Sequence, residues 1–184
     1  MNKILFWLTS FLPFREISDG DTPYLERYHL FGFLGWRFYI HRFVGSDPDR
    51  GLHDHPWARA YSIILNGWYW EHTRSGVRKV RWFNSLVGDN FHRVVLPTRG
   101  IIKIELEQGH RRKYLTGERE PQPCWTLFFH TDKNVKPWGF WRPLGYATKI
   151  NPECKDAAVF APYQYTREGS QKEWWVTAKR RPCK

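Results

Sequence analysis

Cysteine is scarce in this chain of 184 residues: Cys124, Cys154 and Cys183 are scattered, and no two have Cys-x-x-Cys spacing. An odd, scattered set argues against a disulfide framework and points to a reducing compartment, so the expected location is the cytoplasm. Long apolar runs are missing as well. The best candidate, Ile4-Leu5-Phe6-Trp7-Leu8-Thr9-Ser10-Phe11-Leu12, is far too short to span a bilayer, so no membrane span is expected. Pro13-Phe14-Arg15-Glu16 follows without a small-x-small cleavage site, so the run does not read as a secretory signal. It reads as a short apolar helix packed on the body of the fold, with an interfacial membrane anchor as the alternative. There is no Gly-rich phosphate loop and no Gly-x-Ser-x-Gly elbow, which removes P-loop and α/β-hydrolase chemistry.

Aromatic residues are abundant instead, at 18% with eleven tryptophans, which excludes a disordered chain. The net charge of +11 favours an anionic partner: a phosphorylated or carboxylated small molecule, nucleic acid, or a membrane surface. The length suits a single domain. Most of the chain reads as short strands between turns, near 37–44, 52–57, 59–65, 68–73, 78–83, 92–96, 101–106, 124–130 and 137–142. Residues 1–30 are expected to be an apolar segment packing on a barrel of residues 31–150, followed by an extension over 151–184. That extension has one helical stretch near Gln171 to Ala178 and a frayed basic tail. Many short strands with frequent turns mean a sandwich or a barrel, an all-β fold.

Within this pattern stands His53-Asp54-His55-Pro56-Trp57. Residues two apart on a strand share a face, so His53 and His55 can present two imidazoles to one point. His92 follows in Gly88-Asp89-Asn90-Phe91-His92 and supplies a third. Three neutral imidazoles, with or without one carboxylate, suit a divalent transition metal: Fe(II), Zn(II), Mn(II) or Ni(II). Asp54 should point away and satisfy turn backbone or pair with an arginine. His72, His110 and His130 read as structural or solvated, and His41 is the exception, since its strand leads toward the site.

The stretch from 51 to 96 resembles the signature of the cupins. After His53-x-His55, four residues lead to Ala60 and six more to Gly67, in the spacing of that family's first motif. Ala60 stands at the family's glutamate position and Asp47 at its leading glycine. Gly88 and His92 stand for the second motif, one residue further apart than usual, with Leu86 at its proline. Tyr39-Ile40-His41-Arg42-Phe43, the His53–Trp57 motif, Phe91-His92-Arg93-Val94, Trp125-Thr126-Leu127 and Trp138-Gly139-Phe140 resemble, in this order, an uncharacterised cupin-like group of bacteria and bacteriophages. The resemblance implies a double-stranded β-helix (jelly roll) and a metal, with Fe(II) favoured. It implies no substrate.

Ala60 cannot ligate a metal, and Glu71 is the candidate replacement. If Asn66-Gly67 is a two-residue hairpin loop, Ser62 lies opposite Glu71. Ala60, Ser62, Ile64, Tyr69 and Glu71 then share the inner face, and Glu71 is either a ligand or adjacent to one. Tyr61, Ile63, Leu65, Trp68 and Trp70 then share the outer face. A large apolar face needs a cover, either the Leu5 to Phe14 segment or the second subunit of a homodimer. Arg42, Arg93, Tyr69 and Lys103 are the candidates for holding substrate.

Three functions fit these residues. One is a small metalloenzyme, an Fe(II)-type oxygenase acting on an anionic small molecule. Another is a ligand-binding cupin without activity, favoured by Ala60. The last is a nucleic-acid binder or modifier, suggested by Arg78-Lys79-Val80-Arg81-Trp82-Phe83, although an exposed strand with a solvated basic face is the preferred reading of that segment.

Overall fold

In the computed structural model, the backbone is described for residues 1–48, 51–87, 90–107, 110–136, 138–143 and 158–162. Side chains are described for the same residues except 103–115, 142–143 and 158–162. The first strands are β1 (Phe14–Asp19), β2 (Thr22–Phe33), β3 (Trp36–Phe43) and β4 (Leu52–His53). Then come β5 (Arg59–Asn66), β6 (Tyr69–Thr73), β7 (Gly76–Val80), β8 (Phe83–Val87) and β9 (His92–Val95). The chain continues with β10 (Thr98–Glu107), β11 (His110–Pro121), β12 (Cys124–Thr131), β13 (Gly139–Pro143) and β14 (Ala158–Pro162). A single helix, α1 (Asn2–Thr9), precedes them.

One sheet has the order β1-β2-β3-β12-β5-β8 and the other β14-β13-β4-β9-β6-β7, while β10 and β11 form a separate hairpin. The last four strands of each order, β3-β12-β5-β8 and β4-β9-β6-β7, are visited alternately along the chain, apart from the β6-β7 hairpin. This is the two-Greek-key order of a jelly roll. The all-β double-stranded β-helix with a short N-terminal helix is therefore present.

β12, Cys-Trp-Thr-Leu-Phe-Phe-His-Thr, is rich in aromatic residues and lies at the centre of its sheet. Cys124, Thr126, Phe128 and His130 turn into the barrel, and Trp125 turns out beneath α1. There Leu5 of the helix joins Tyr28, Ile40 and Trp125 in one buried cluster. Arg42 lies over the rings of Phe6 and Trp125 and donates to Glu26 at 3.0 Å. The Cys124 thiol is fully buried, which pushes its pKa up to about 12. No helix among the described residues is long and apolar enough to cross a membrane.

Several expectations need correction. Asn66-Gly67 is not a hairpin loop, because β5 and β6 belong to different sheets. The chain turns a corner there, with Gly67 at φ +86°. A Cβ on Gly67 would lie 2.8 Å from the Pro123 carbonyl oxygen, so the corner is pressed against the start of β12. The inner face read from the supposed hairpin is nonetheless right: Ala60, Ser62, Ile64, Tyr69 and Glu71 are all buried. Period-two alternation within each strand is enough to place them, whichever strand they pair with.

The expected outer face is not continuous, since Tyr61, Ile63 and Leu65 lie on one sheet and Trp70 on the other, with Trp68 in the corner between them. The N-terminal segment covers only the Leu65 end. The strand expected over 78–83 is broken at Arg81-Trp82, where the chain crosses between sheets. The strand expected over 52–57 ends at His53. Residue 30, expected as a boundary, falls inside β2, which with β1 extends the barrel sheet. The helix expected near 171–178 and the basic tail lie outside the described residues.

Candidate metal centre

His53 ends β4 directly opposite His92 of β9. Cross-strand partners share a face, so both rings enter the barrel. His55 follows beyond the strand end and completes the group. The ring centroids form a nearly equilateral triangle, with His53–His55 at 5.2 Å, His53–His92 at 4.8 Å and His55–His92 at 5.1 Å. One ligand nitrogen from each lies within 4.8 Å of the others. Nε2 of His55 and Nε2 of His92 are 3.0 Å apart. Two nitrogens bound at about 2.1 Å and at right angles to one ion are separated by about 3.0 Å. That pair is thus spaced as adjacent ligands of a common metal.

Asp54 explains why His55 can follow its neighbour inward although the strand has ended. Its Oδ1 accepts from the Gly139 N–H at 2.8 Å, and its own N–H donates to the Gly139 carbonyl at 3.1 Å. Oδ2 lies 2.9 Å from Nζ of Lys136. The Val135 N–H donates to the Pro56 carbonyl at 2.8 Å, lacing the same loop once more. The expected outward carboxylate is present, paired with lysine and with backbone.

Electrostatics keeps the ring nitrogens available. Burial pushes the imidazoles of His53 and His55 well below their ordinary pKa, and the neighbouring His92 lowers them further. Neutral imidazole carries the lone pair that a metal requires. Behind His53, Asp47 accepts from the Val94 N–H at 2.7 Å, and its Oδ2 stands 3.9 Å from Nδ1 of His53. Burial raises the Asp47 pKa, against the Val94 hydrogen bond and the nearby His92 and Arg93.

Glu71, expected as a ligand or beside one, sits behind His92. Its Oε1 is 2.9 Å from Nδ1 of His92, the nitrogen turned away from His55. Asn84 donates to the same oxygen at 2.6 Å and Arg78 donates to Oε2 at 2.7 Å. Burial alone would raise the Glu71 pKa. The hydrogen bonds from His92 and Asn84 and the charges of His92 and Arg78 outweigh burial and hold it below the usual value. With Nδ1 directed at Glu71, it is Nε2 of His92 that faces the triad.

The other expected binding residues are dispersed. Arg42 faces outward beneath α1, because it pairs with Glu26 on the sheet's outer side. Arg93 alternates outward from His92, and its Nε donates to the Asp47 carbonyl at 3.1 Å. Tyr69 is buried inside, in the apolar cluster with Ile64, Val80 and Val94, where its hydroxyl accepts from Asn84 at 3.1 Å. Burial raises its pKa. The side chains of Lys103 and His110 lie outside the described residues.

A group that the sequence did not mark lies on the opposite inner wall. Arg27 of β2 pairs in register with His41 of β3 and donates from Nε to Nε2 of His41 at 3.1 Å. Its guanidinium stands 5.4 Å from the Tyr39 ring. Phe128 stacks on His41 at 4.6 Å, and Trp57 stacks on His130 at 3.7 Å and on His55 at 5.0 Å. His41 lies well below its ordinary pKa and His130 is lowered to about 3, burial being the main cause in both. The positive charge of Arg27 contributes at both, and at His55. His41 and His130 are therefore buried beside the site, not solvated. Arg27 was missed because nothing in its neighbourhood announces β2: Glu26 and Arg27 are charged and lie on opposite faces. The His130-x-Asp132 pattern is not a ligand pair, since Asp132 pairs with Arg37.

No family profile and no curated protein matches the chain. Among solved structures, a cupin-2 domain from Rhodospirillum rubrum is 14% identical, with a TM-score of 0.47, covering 68% of this chain and 72% of its own. A cupin-2 conserved barrel domain protein from Rhodopseudomonas palustris is 11% identical, with a TM-score of 0.43 and the same coverage of 68% and 72%. The Fe(II) form of HppE is 8% identical, with a TM-score of 0.44, covering 65% of this chain and 56% of its own. The fold assignment rests on the strand order.

Proposed function

We propose that this chain, whose strand order is that of the cupin double-stranded β-helix, is a metalloenzyme of the Fe(II) oxygenase type acting on an anionic small molecule. The observation that carries the reading is the convergence of His53, His55 and His92, with two Nε2 atoms 3.0 Å apart. The donor set suits the group: three imidazoles without thiolate fit Fe(II), and also Zn(II), Mn(II) or Ni(II). Bound there, such an ion supplies open coordination positions and Lewis acidity, and as iron a source of electrons for oxygen.

The protein's own residues do the rest. Glu71 fixes the tautomer and orientation of His92. Trp57 and Phe128 wall the site against water, and Arg27 supplies the positive charge to hold a carboxylate or phosphate. With Arg42 and Arg93 on the outer faces, Arg27 takes over the role expected of them. A ligand-binding barrel without turnover is the alternative that Ala60 supports, since it leaves a neutral triad. The nucleic-acid alternative is weakened by Arg78, which is drawn onto Glu71 and Asn84.

Metal analysis of protein purified without added metal is the direct test, and absence of any bound transition metal would reject the reading. Oxygen uptake by iron-loaded protein with candidate anions separates turnover from binding. Arg27 has its own test in the cobalt-substituted protein, whose visible spectrum reports a bound anion. Titration with benzoate should perturb that spectrum, and Arg27→Met should weaken the response by roughly 10–100-fold, the worth of a charged hydrogen bond. Cobalt content should stay unchanged. An unaltered benzoate affinity would remove Arg27 from the site.

Replacing the carboxylate behind His92 should act differently. Glu71→Gln keeps an acceptor for Nδ1 but loses the charge, so metal affinity should fall about 10–100-fold without vanishing. Competition against a chelating dye measures this. Complete loss of binding would instead make Glu71 a ligand.

A further inference from the structure

The outer face of the β1-β2-β3-β12-β5-β8 sheet carries large apolar side chains from β2 to β8, and α1 covers only one end of it. Four residues further along β12 from Trp125, an aromatic ladder crosses five strands. Phe31 stacks on Phe38 at 4.7 Å, Phe38 on Phe129 at 5.4 Å, Phe129 meets Tyr61 at 5.4 Å, and Tyr61 stacks on Phe83 at 5.9 Å. The ladder's ends are open: Phe31 and Phe83 are each 52% exposed, and neighbouring Phe33 is 64% exposed. Beside it, α1 turns a second apolar surface to solvent. Ile4 is 65% and Trp7 66% exposed, at the i, i+3 positions of one helical face, and Phe11, 55% exposed in the turn that follows, meets Trp7 edge-on at 5.4 Å.

From this surface we propose that the chain forms a two-fold homodimer in which α1 of each copy seats on the aromatic ladder of the other. Shape argues for a second copy as the occupant. A helix raised on one end of a flat sheet makes a step, and a step fits itself when turned about a two-fold axis, as an isologous interface requires. Area argues the same way. At roughly 200 Å² per aromatic side chain, the exposed fractions of ladder and helix amount to on the order of 800 Å², the share of one partner in a standard interface. That exceeds the patch an ordinary monomer exposes. Of the cations on this surface, Arg42 pairs with Glu26 beneath the helix, while Lys3 of α1 and Arg59 of β5 are exposed, so shape and area carry the choice of occupant. This proposal is independent of the metal site, which lies on the inner faces.

Sedimentation velocity on the full-length chain at micromolar concentration tests it, with far-ultraviolet circular dichroism as the check on folding. The wild-type chain should sediment with twice the chain mass. The double variant Phe31→Glu, Phe83→Glu should sediment at the single-chain mass with an unchanged spectrum. Trp7→Glu, at the far side of the step, should do the same, because the helix and the ladder meet only across the interface. A wild-type monomer overturns the proposal, whether residues 163–184 of the same chain or a lipid surface covers the ladder. Pelleting with phosphatidylglycerol vesicles distinguishes those two. A wild-type dimer that persists in both folded variants places the interface elsewhere and overturns it equally.

Discussion

His92→Ala should abolish stoichiometric metal binding, a larger loss than the 10–100-fold expected for Glu71→Gln. Two imidazoles would remain, one at a strand end and one in a loop, and neither alone closes a site. The effect should also appear in stability. A metal that binds only the folded chain adds about 4 kcal/mol when present at a thousand times its dissociation constant. Chelation should therefore lower the thermal midpoint of the wild-type chain and leave that of His92→Ala unmoved. The variant carries a separate, smaller penalty, because Oε1 of Glu71 loses one buried partner and keeps Asn84. Calorimetry with and without chelator separates the two terms. An equal response to chelator in both proteins would show that the ion, if bound, is held elsewhere.

Trp125→Ala should cost about 3–5 kcal/mol, the range for deleting a large aromatic side chain from a core. The indole is 1% exposed and lies where α1 meets the sheet. Phe6 meets it edge-on at 5.2 Å, Tyr28 stacks at 6.2 Å, and the Arg42 guanidinium lies 5.6 Å from the ring. A single short helix cannot close the resulting cavity by shifting, because its other contacts, Leu5 above all, hold it to the same cluster. For a chain of this size the midpoint should fall by roughly 6–20 °C. Trp125→Phe should lose less, since most of the volume stays. A loss below about 1 kcal/mol in the alanine variant would mean that α1 does not pack on Trp125.

Local pattern was sufficient wherever alternation alone decides which way a side chain points. His92 and Val94 turn inward while Arg93 turns out. Glu71 is buried while Trp70 is exposed. The His-x-His spacing with a third histidine downstream and the apolar N-terminal helix were legible as motifs, but alternation places only His53 and His92, while His55, beyond the strand end, is turned inward by the Asp54–Gly139 bonds. Partner assignments were not. Leu65 and Trp68 look like the ends of a hairpin, yet their strands lie in different sheets, because Gly67 turns a corner against the start of β12. A tight turn and a sheet-to-sheet corner use the same residues, and only contacts distant in sequence distinguish them.

The amino-acid sequence by itself determined the all-β class and the inward side of each barrel strand, consequences of the two-residue period of a strand, and it displayed the three imidazoles as a motif. Tertiary structure decided what those residues face. It placed Glu71 against Nδ1 of His92, an arrangement that depends on β6 lying beside β9. It gave Arg42 and Arg93, directed to outer faces by alternation, one partner each, Glu26 and the Asp47 carbonyl. It brought Arg27 of β2 across from His41 and toward the triad, although the two arginine-bearing stretches expected to hold an anion lie elsewhere. The physical reason is common to all three: a side chain's direction is set by its own backbone, but its electrostatic environment is set by strands dozens of residues away.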